Sequence, residues 1–164
     1  MMVEMKVSGL ALDETVNVPV LILKDKEEKK VLPIWIGAME AVSISMALNR
    51  MDLPRPLTHD LFLDTITHLN GRILRAKVVS LCEGTYYAEL DIEQNGELKT
   101  IDCRPSDAVA LALRANAPIA VNSEVLAQSE LAAMNNQAMP HGENKTEDWS
   151  EALERMTPDS KYKM

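Results

Sequence analysis

The chain has 164 residues, of which 46% are apolar and 26% are charged, and its formal net charge is −8 at pH 7. This length suits one domain that buries a real core, and no apolar run reaches the roughly 18 residues of a membrane-spanning helix. Residues 1–132 and residues 133–164 are both net acidic. This negative charge disfavours a broad basic surface that binds nucleic acid. Binding to nucleic acid would therefore need a local basic patch.

The N-terminus and the cysteines indicate a cytoplasmic protein. Residues 1–10, MMVEMKVSGL, contain an acid and no long apolar segment, so they do not form a signal peptide. Cys82 and Cys103 lack CxxC spacing and lie in strand-like surroundings, which predicts buried free thiols. A zinc site of the usual kind is not expected, because no two of the three histidines are spaced to share one helix face.

The first part of the chain predicts three strands and a helix. Residues 3–8 alternate apolar and polar side chains, NVPVLILKD is more continuously apolar, and VLPIWI follows a charged loop at 24–30. Pro33 in the third strand indicates an edge position or a bulge. The segment AMEAVSISMALNRM then repeats small and apolar residues at helical spacing, which predicts a closely packed helix.

The second part predicts a helix, a β-meander and a helix–strand–helix end. Thr58 is the expected N-cap of the helix LFLDTITHL, which stops at Asn70-Gly71. RILRAKVVSL, TYYAELDIE and ELKTIDC form the meander, and Asn95-Gly96 is a hairpin signal. A helix from Pro105 to about Ala115, the strand APIAVN and the helix SEVLAQSELAAM follow.

This element order predicts an α+β fold, with a mixed or antiparallel sheet and packed helices in a single compact domain over residues 1–132. Residues 133–147 are polar and aperiodic, which predicts a linker. Residues 148–164 form a short amphipathic segment that is too short to be stable alone. We expect it to dock, either on its own domain or on another subunit.

The second meander strand carries alternating carboxylates, for which a solvated face is the simplest interpretation. The neighbouring strand carries basic side chains that are expected to pair across with them. The acidic set is Glu89, Asp91 and Glu93, and the basic set is Arg72, Arg75 and Lys77.

The stretch IDCRPSDAVALALR, residues 101–114, holds the main candidate site. Helix initiation alone explains Ser106 and Asp107. Arginine is not needed to start a helix, yet Arg55 and Arg104 each stand beside a helix N-terminus, where they could bind phosphate together with Thr58 and Ser106. The alternative is that each arginine pairs with a carboxylate such as Asp102 or Glu40 and braces the fold.

Four carboxylates near strand ends and helix starts form a candidate metal set: Glu40, Asp60, Asp102 and Asp107. Such groups are natural ligands of Mg²⁺ or Mn²⁺. Asp102 and Asp107 would be the catalytic centre of a phosphodiester hydrolase, and His59 would transfer a proton.

Three blocks, LPIWIGAMEAVSISMAL, RPLTHDLFLDTITHLNGRI and IDCRPSDAVALALRANAPIAV, resemble the bifunctional nuclease domain family, formerly a domain of unknown function. The C-terminal WSEALERMTPDSKYKM is similar to the ending of its members. The resemblance implies a compact α+β domain that self-associates, and its name comes from plant members that cleave both RNA and DNA.

Two functional hypotheses follow. The first is a metal-assisted nuclease acting on RNA and DNA, supported by the resemblance. The second is a non-catalytic homo-oligomer, most simply a dimer, that binds a small anionic ligand or a protein partner. Net charge and the few aromatic residues favour the second. Neither hypothesis involves a membrane.

Overall fold

The computed structural model describes residues 1–51 and 53–135 of the chain, and the side chains within these ranges other than that of Asn135. Seven strands and four helices lie in this part of the chain and form one α+β domain. The strands are β1 Met2–Asp13, β2 Val18–Asp25, β3 Val31–Trp35, β4 Gly71–Cys82, β5 Thr85–Gln94, β6 Glu97–Cys103 and β7 Ile119–Asn122. The helices are α1 Ala38–Leu48, α2 Thr58–His68, α3 Pro105–Ala115 and α4 Ser123–Asn135.

All seven strands form one mixed sheet in the order β3-β2-β1-β7-β4-β5-β6. Neighbours are antiparallel except β4 and β7, which pair in parallel through Ala76–Val78 and Ile119–Val121. The predicted α+β class is therefore confirmed. Pro33 lies in β3 at the sheet edge, where the missing N–H of a proline breaks no ladder between two central strands.

Two tight turns set the meander register. Asn95 and Gly96 both have positive φ, at 55° and 81°, and Glu83 and Gly84 have φ of 49° and 78°. Positive φ at both central residues matches the twist of the flanking strands. Gly84 and Gly96 therefore occupy positions that other residues fill only with strain.

Helix α3 lies at the centre of the fold. It packs on β4 and β5, and α1 and α2 pack against it. Its side chains from Pro105 to Ala112, apart from Asp107, are buried. Because α3 is fixed on several sides, its N-terminal end is a rigid platform for the side chains described below.

The carboxylate face of β5 differs from the prediction at Asp91. Its side chain is only 1% exposed, because Arg75, Lys77 and Thr100 surround it. Arg75 Nε donates to it at 2.6 Å, Lys77 Nζ at 2.7 Å and Thr100 Oγ1 at 2.9 Å. Burial opposes ionisation, but these hydrogen bonds outweigh it, so the pKa of Asp91 is lowered. The predicted cross-strand pairing is confirmed, and the expectation of a solvated Asp91 is wrong.

The remaining predictions have mixed outcomes. Cys82 is exposed rather than buried, because it ends β4 at the turn into β5. Helix α4 continues to Asn135, past the predicted start of the linker at 133. The rest of that linker and the segment 148–164 lie outside the described residues. Within the described ranges, no helix is long and apolar enough to cross a membrane.

Candidate active site

Polar side chains from three helices meet beside the N-terminus of α3. Ser43 lies in the middle of α1, His59 in the first turn of α2, and Asp107 in the first turn of α3. Arg104 is the N-cap residue of α3, and Glu40 lies in the first turn of α1. The helix starts that the sequence predicted thus bring residues distant along the chain into one place.

His59 links Ser43 to Asp107. Its Nε2 lies 3.0 Å from Asp107 Oδ1, and its Nδ1 lies 2.8 Å from Ser43 Oγ. The His59 side chain is 18% exposed and that of Asp107 is 28% exposed. The imidazole is thus held by a hydrogen bond at each ring nitrogen, while both side chains remain partly exposed to solvent.

Arg104 bridges Asp107 and Glu40. Its Nε donates to Asp107 Oδ2 at 2.7 Å, its Nη2 to Asp107 Oδ1 at 3.2 Å, and its Nη1 to Glu40 Oε1 at 2.8 Å. Gly37 permits this arrangement, because a Cβ there would collide with the Glu40 carboxylate. The Arg104 side chain nevertheless remains 64% exposed. The predicted brace between Arg104 and Glu40 is therefore present, and the guanidinium still faces solvent.

The electrostatics keep Asp107 ionised. Burial opposes ionisation, but the hydrogen bonds from Arg104 and His59 outweigh burial and lower the pKa of Asp107. The same carboxylate raises the pKa of Arg104, which stays cationic. Asp107 is thus a fixed anion between two donors.

Arg114, in the last turn of α3, holds the three helices together. Its Nε donates to Asp60 Oδ1 at 2.6 Å, and its Nη2 donates to the Ser43 carbonyl at 3.2 Å. Asp60 also accepts from the Leu57 N–H at the start of α2. Burial opposes ionisation of Asp60, but the hydrogen bonds from Arg114 and Leu57 lower its pKa. Asp60 is therefore a helix cap and a structural ion-pair partner.

Two depressions lie on either side of Arg104 and Glu40. The His59 depression, about 320 Å³, is lined by Met39, Glu40, Val42, Ser43, Met46, Leu57, Thr58, His59, Arg104 and Asp107. The Trp35 depression, about 310 Å³, is lined by Ile34, Trp35, Ile36, Gly37, Glu40, Gly84, Thr85, Tyr86, Arg104, Pro105 and Ser106. Arg104 is thus exposed to both, which suits a ligand with an anionic group at its centre.

The predicted site residues divide into two groups. His59, Thr58, Asp107, Arg104 and Glu40 line the His59 depression, and Ser106 is buried and lines the Trp35 depression. The other three lie apart. Asp60 is paired with Arg114, Arg55 is exposed in the loop before α2, and Asp102 is exposed near the end of β6, opposite Glu89 of β5.

The four predicted metal ligands do not form one group. Within the described residues, no cluster of three or more His, Cys, Asp or Glu side chains is placed to hold a metal ion. Glu40 and Asp107 already bind the guanidinium of Arg104, and Asp60 binds Arg114. A positive side chain therefore stands where a cation would be held, and these residues do not fit a resident Mg²⁺ or Mn²⁺.

Sequence reasoning missed Ser43. It stands three residues after Glu40, on the same face of a helix made largely of small and apolar residues. The i, i+3 spacing of Glu40 and Ser43 was the one sequence signal that could have placed Ser43 near the site. The partner His59 is 16 residues further on, beyond the reach of any helical pattern.

Comparison with known proteins settles the family. The model of the bifunctional nuclease domain matches residues 21–134. An uncharacterised protein of Mycobacterium tuberculosis is 38% identical over 160 residues, which cover 95% of this chain and 96% of that protein. The chain belongs to the bifunctional nuclease domain family. The resemblance drawn from three sequence blocks is confirmed.

Plant members of the family are more distant. Bifunctional nuclease 2 of Arabidopsis thaliana is 29% identical over 94 residues, 56% of this chain and 29% of the plant protein. Bifunctional nuclease 1 of the same plant is 28% identical over 108 residues, 63% of this chain and 33% of the plant protein. These matches therefore concern one part of each plant protein.

Proposed function

We propose that this bifunctional nuclease domain protein hydrolyses phosphodiester bonds in RNA and DNA. The observation that carries the proposal is the pairing of a proton-transfer group with a cation in one depression, where His59 is held by Asp107 beside Arg104. Phosphodiester cleavage needs a group that moves a proton and a positive charge that stabilises the phosphoryl oxygens. Plant relatives named bifunctional nucleases support the same activity.

The roles of the residues follow from their contacts. Asp107 orients the imidazole of His59, which accepts and returns a proton. Arg104 uses three of its five N–H groups in the contacts described above, so the others can bind a phosphate oxygen. Thr58 at the rim offers a further hydroxyl.

The two depressions suit a substrate longer than one nucleotide. A phosphate at Arg104 would have a nucleoside on either side, one beside His59 and the other beside Trp35 and Tyr86. Trp35 is 41% exposed, and exposed aromatic rings are groups on which bases stack. Ser106, predicted to bind phosphate, lines this second depression.

The proposed cleavage uses no resident metal ion. Because Glu40 and Asp107 are bound to Arg104, any Mg²⁺ or Mn²⁺ would be carried by the phosphates of the substrate rather than by a resident site. Asp102, predicted as a catalytic and metal residue, has no part in this proposal. The Asp102→Asn variant is therefore expected to cleave RNA and DNA like the wild type.

The test is cleavage of labelled single-stranded RNA and DNA, with EDTA, Mg²⁺ or Mn²⁺, by the wild type and by His59→Gln. Removal of a general acid–base group should lower kcat by about 10²- to 10⁴-fold. His68→Gln is the matched control, because His68 ends the same helix and bonds only the Asp64 carbonyl in the part of the chain described. Equal cleavage by both variants, or none by the wild type under any ion condition, would refute the proposal.

A non-catalytic binding domain is the second candidate. It is favoured by Arg104 itself, which joins α1 to α3 through Glu40 and Asp107 as a structural brace would. In that case the depressions would hold a small anionic ligand, or a protein partner would cover them. Arg104→Ala distinguishes the two candidates, because a brace would lose stability and a reaction site would lose activity.

Self-association and a cytoplasmic location complete the proposal. Helix α2 has no buried residue, and Leu61, Phe62 and Leu69 are about half exposed or more. A second copy of the chain would remove this apolar surface from water.

Cys82 and Cys103 are free thiols, as is usual in a reducing compartment such as the cytoplasm.

A further inference from the structure

Ser43, His59 and Asp107 form a continuous hydrogen-bonded series. Asp107 is ionised and can only accept, so the 3.0 Å contact with His59 Nε2 places a proton on Nε2. In the neutral imidazole, Nδ1 then carries the lone pair. In this neutral form, the 2.8 Å contact between Ser43 Oγ and Nδ1 is a hydrogen bond that the serine hydroxyl donates.

The direction of this hydroxyl is unusual for a serine inside a helix. Such hydroxyls commonly donate to the carbonyl one turn earlier. Thr65 and Thr67 of α2 do so, at 2.8 and 2.9 Å from the carbonyls of Leu61 and Leu63. Ser43 Oγ instead lies 2.8 Å from the ring nitrogen Nδ1 of His59, which in the neutral imidazole accepts its proton.

Ser43 is also held in place and open to a ligand. Arg114 donates to its carbonyl, which ties this turn of α1 to α3. Its side chain is half-buried and lines the His59 depression together with Arg104. A phosphate bound at Arg104 in this depression would thus share the depression with the Ser43 hydroxyl.

We propose that Ser43 is the nucleophile of this site and attacks the phosphorus of a phosphodiester, with His59 as its base and Asp107 as the group that orients His59. The proposal deepens the nuclease function and rests on it. Serine, histidine and aspartate in this order of contact are the arrangement by which a base activates a hydroxyl.

The chemistry balances with water as the only co-reactant. Ser43 Oγ forms a bond to phosphorus as its proton passes to His59 Nδ1. The bond from phosphorus to the leaving oxygen then breaks, and that oxygen takes the proton from Nδ1. In the second half, water attacks the phosphorus and gives a proton to Nδ1, the bond to Oγ breaks, and Oγ regains the proton.

The surroundings favour a phosphodiester over a neutral ester. Ser43 is the sixth residue of α1, so the backbone N–H groups around it are bonded within the helix and cannot form an oxyanion hole. The positive group that the depression offers is the guanidinium of Arg104. A cation of this kind stabilises a substrate that is already anionic.

Two readouts test the proposal with the full-length protein. The first is oligonucleotide cleavage by Ser43→Ala and by Ser43→Cys, with Ser45→Ala as a control on the same helix whose side chain bonds Asn49. The second is labelling by a fluorophosphonate, which needs only a nucleophile and its base, with the modified residue located by mass spectrometry. Melting temperatures verify that each variant is folded.

We expect cleavage by Ser43→Ala to fall by about a hundredfold or more, with Ser45→Ala unchanged. We also expect a label on Ser43 that is lost in His59→Gln. Wild-type cleavage without any label on Ser43, or cleavage by folded Ser43→Ala within about threefold of wild type, would overturn the nucleophile and leave the nuclease standing. A label on Ser43 without any cleavage would overturn the nuclease and with it the attack on a phosphodiester, and would leave only a reactive serine. Failure of both readouts would overturn both proposals.

Discussion

Arg104→Ala separates a reaction site from a structural brace. Removing the side chain breaks the pairs with Asp107 and Glu40, which involve N–O distances of 2.7 to 3.2 Å. Because Arg104 is 64% exposed, each pair is screened by solvent and stabilises the fold by about 0.2–1 kcal/mol. The free energy of unfolding should therefore fall by less than about 2 kcal/mol, which corresponds to at most roughly 10 °C in Tm.

The effect on catalysis should be larger. Loss of one donor that stabilises the charge of a transition state lowers kcat by about 10²- to 10³-fold, or about 2.7–4 kcal/mol. Arg104→Lys should restore part of this loss, because it keeps the charge and loses the planar fork. The assay is kcat on a single-stranded oligonucleotide, measured beside thermal unfolding of each variant.

Arg72→Ala is the matched control. Arg72 is 73% exposed and pairs with Glu93 at 3.6 Å on the meander, away from the depressions described above. It should change neither cleavage nor Tm appreciably. The reasoning fails if Arg104→Ala costs more than about 3 kcal/mol of stability, or if the folded variant cleaves within about threefold of wild type. Either result would favour the brace and the binding domain.

Three further predictions follow from the described contacts. Asp91→Ala should lower the free energy of unfolding, measured with urea, by about 3–5 kcal/mol, because Arg75 and Lys77 lose the carboxylate that they pair with at a buried site. A loss of less than about 1 kcal/mol would contradict this prediction. Folding lowers the pKa of both Asp91 and Asp107, so the stability from these groups is present above their ordinary pKa of about 4 and is lost as pH falls through the lowered value. Tm should therefore drop below a pH of about 4, and a Tm that stays flat there would contradict this prediction. Phe62→Ser should reduce self-association in sedimentation, whereas unchanged sedimentation would exclude α2 as the interface.

The elements of the fold were predictable because their signals are local. Pro105 begins α3 and Asn95-Gly96 makes the turn between β5 and β6, each through the backbone angles that these residues favour. Asp91 was not predictable in the same way. Alternation along β5 places it on the face of its charged neighbours, but its burial depends on side chains from β4 and β6 that close over it.

The candidate site was predictable in its residue types and not in its connections. The contacts of His59 reach 16 residues back to Ser43 and 48 residues forward to Asp107. No periodic pattern contains such separations, so the sequence suggested carboxylates around a metal. The start of α3 at Pro105 was correct, and that of α2 was one residue off, because Leu57 rather than Thr58 is its N-cap. The packing of α1 and α2 on α3 decided which side chains meet.

The double role of Asp107 determines which residue can distinguish the hypotheses. One carboxylate orients His59 through Oδ1 and holds Arg104 through both oxygens, so Asp107→Asn would disturb the base, the cation and the start of α3 together. A loss of activity in the Asp107→Asn variant would fit a nuclease and a structural brace equally well. Arg104 has no bond to His59 in the part of the chain described, and its removal leaves the contacts of His59 with Ser43 and Asp107 available. A large loss of cleavage in a stable Arg104→Ala variant therefore assigns the cation to the substrate rather than to the fold.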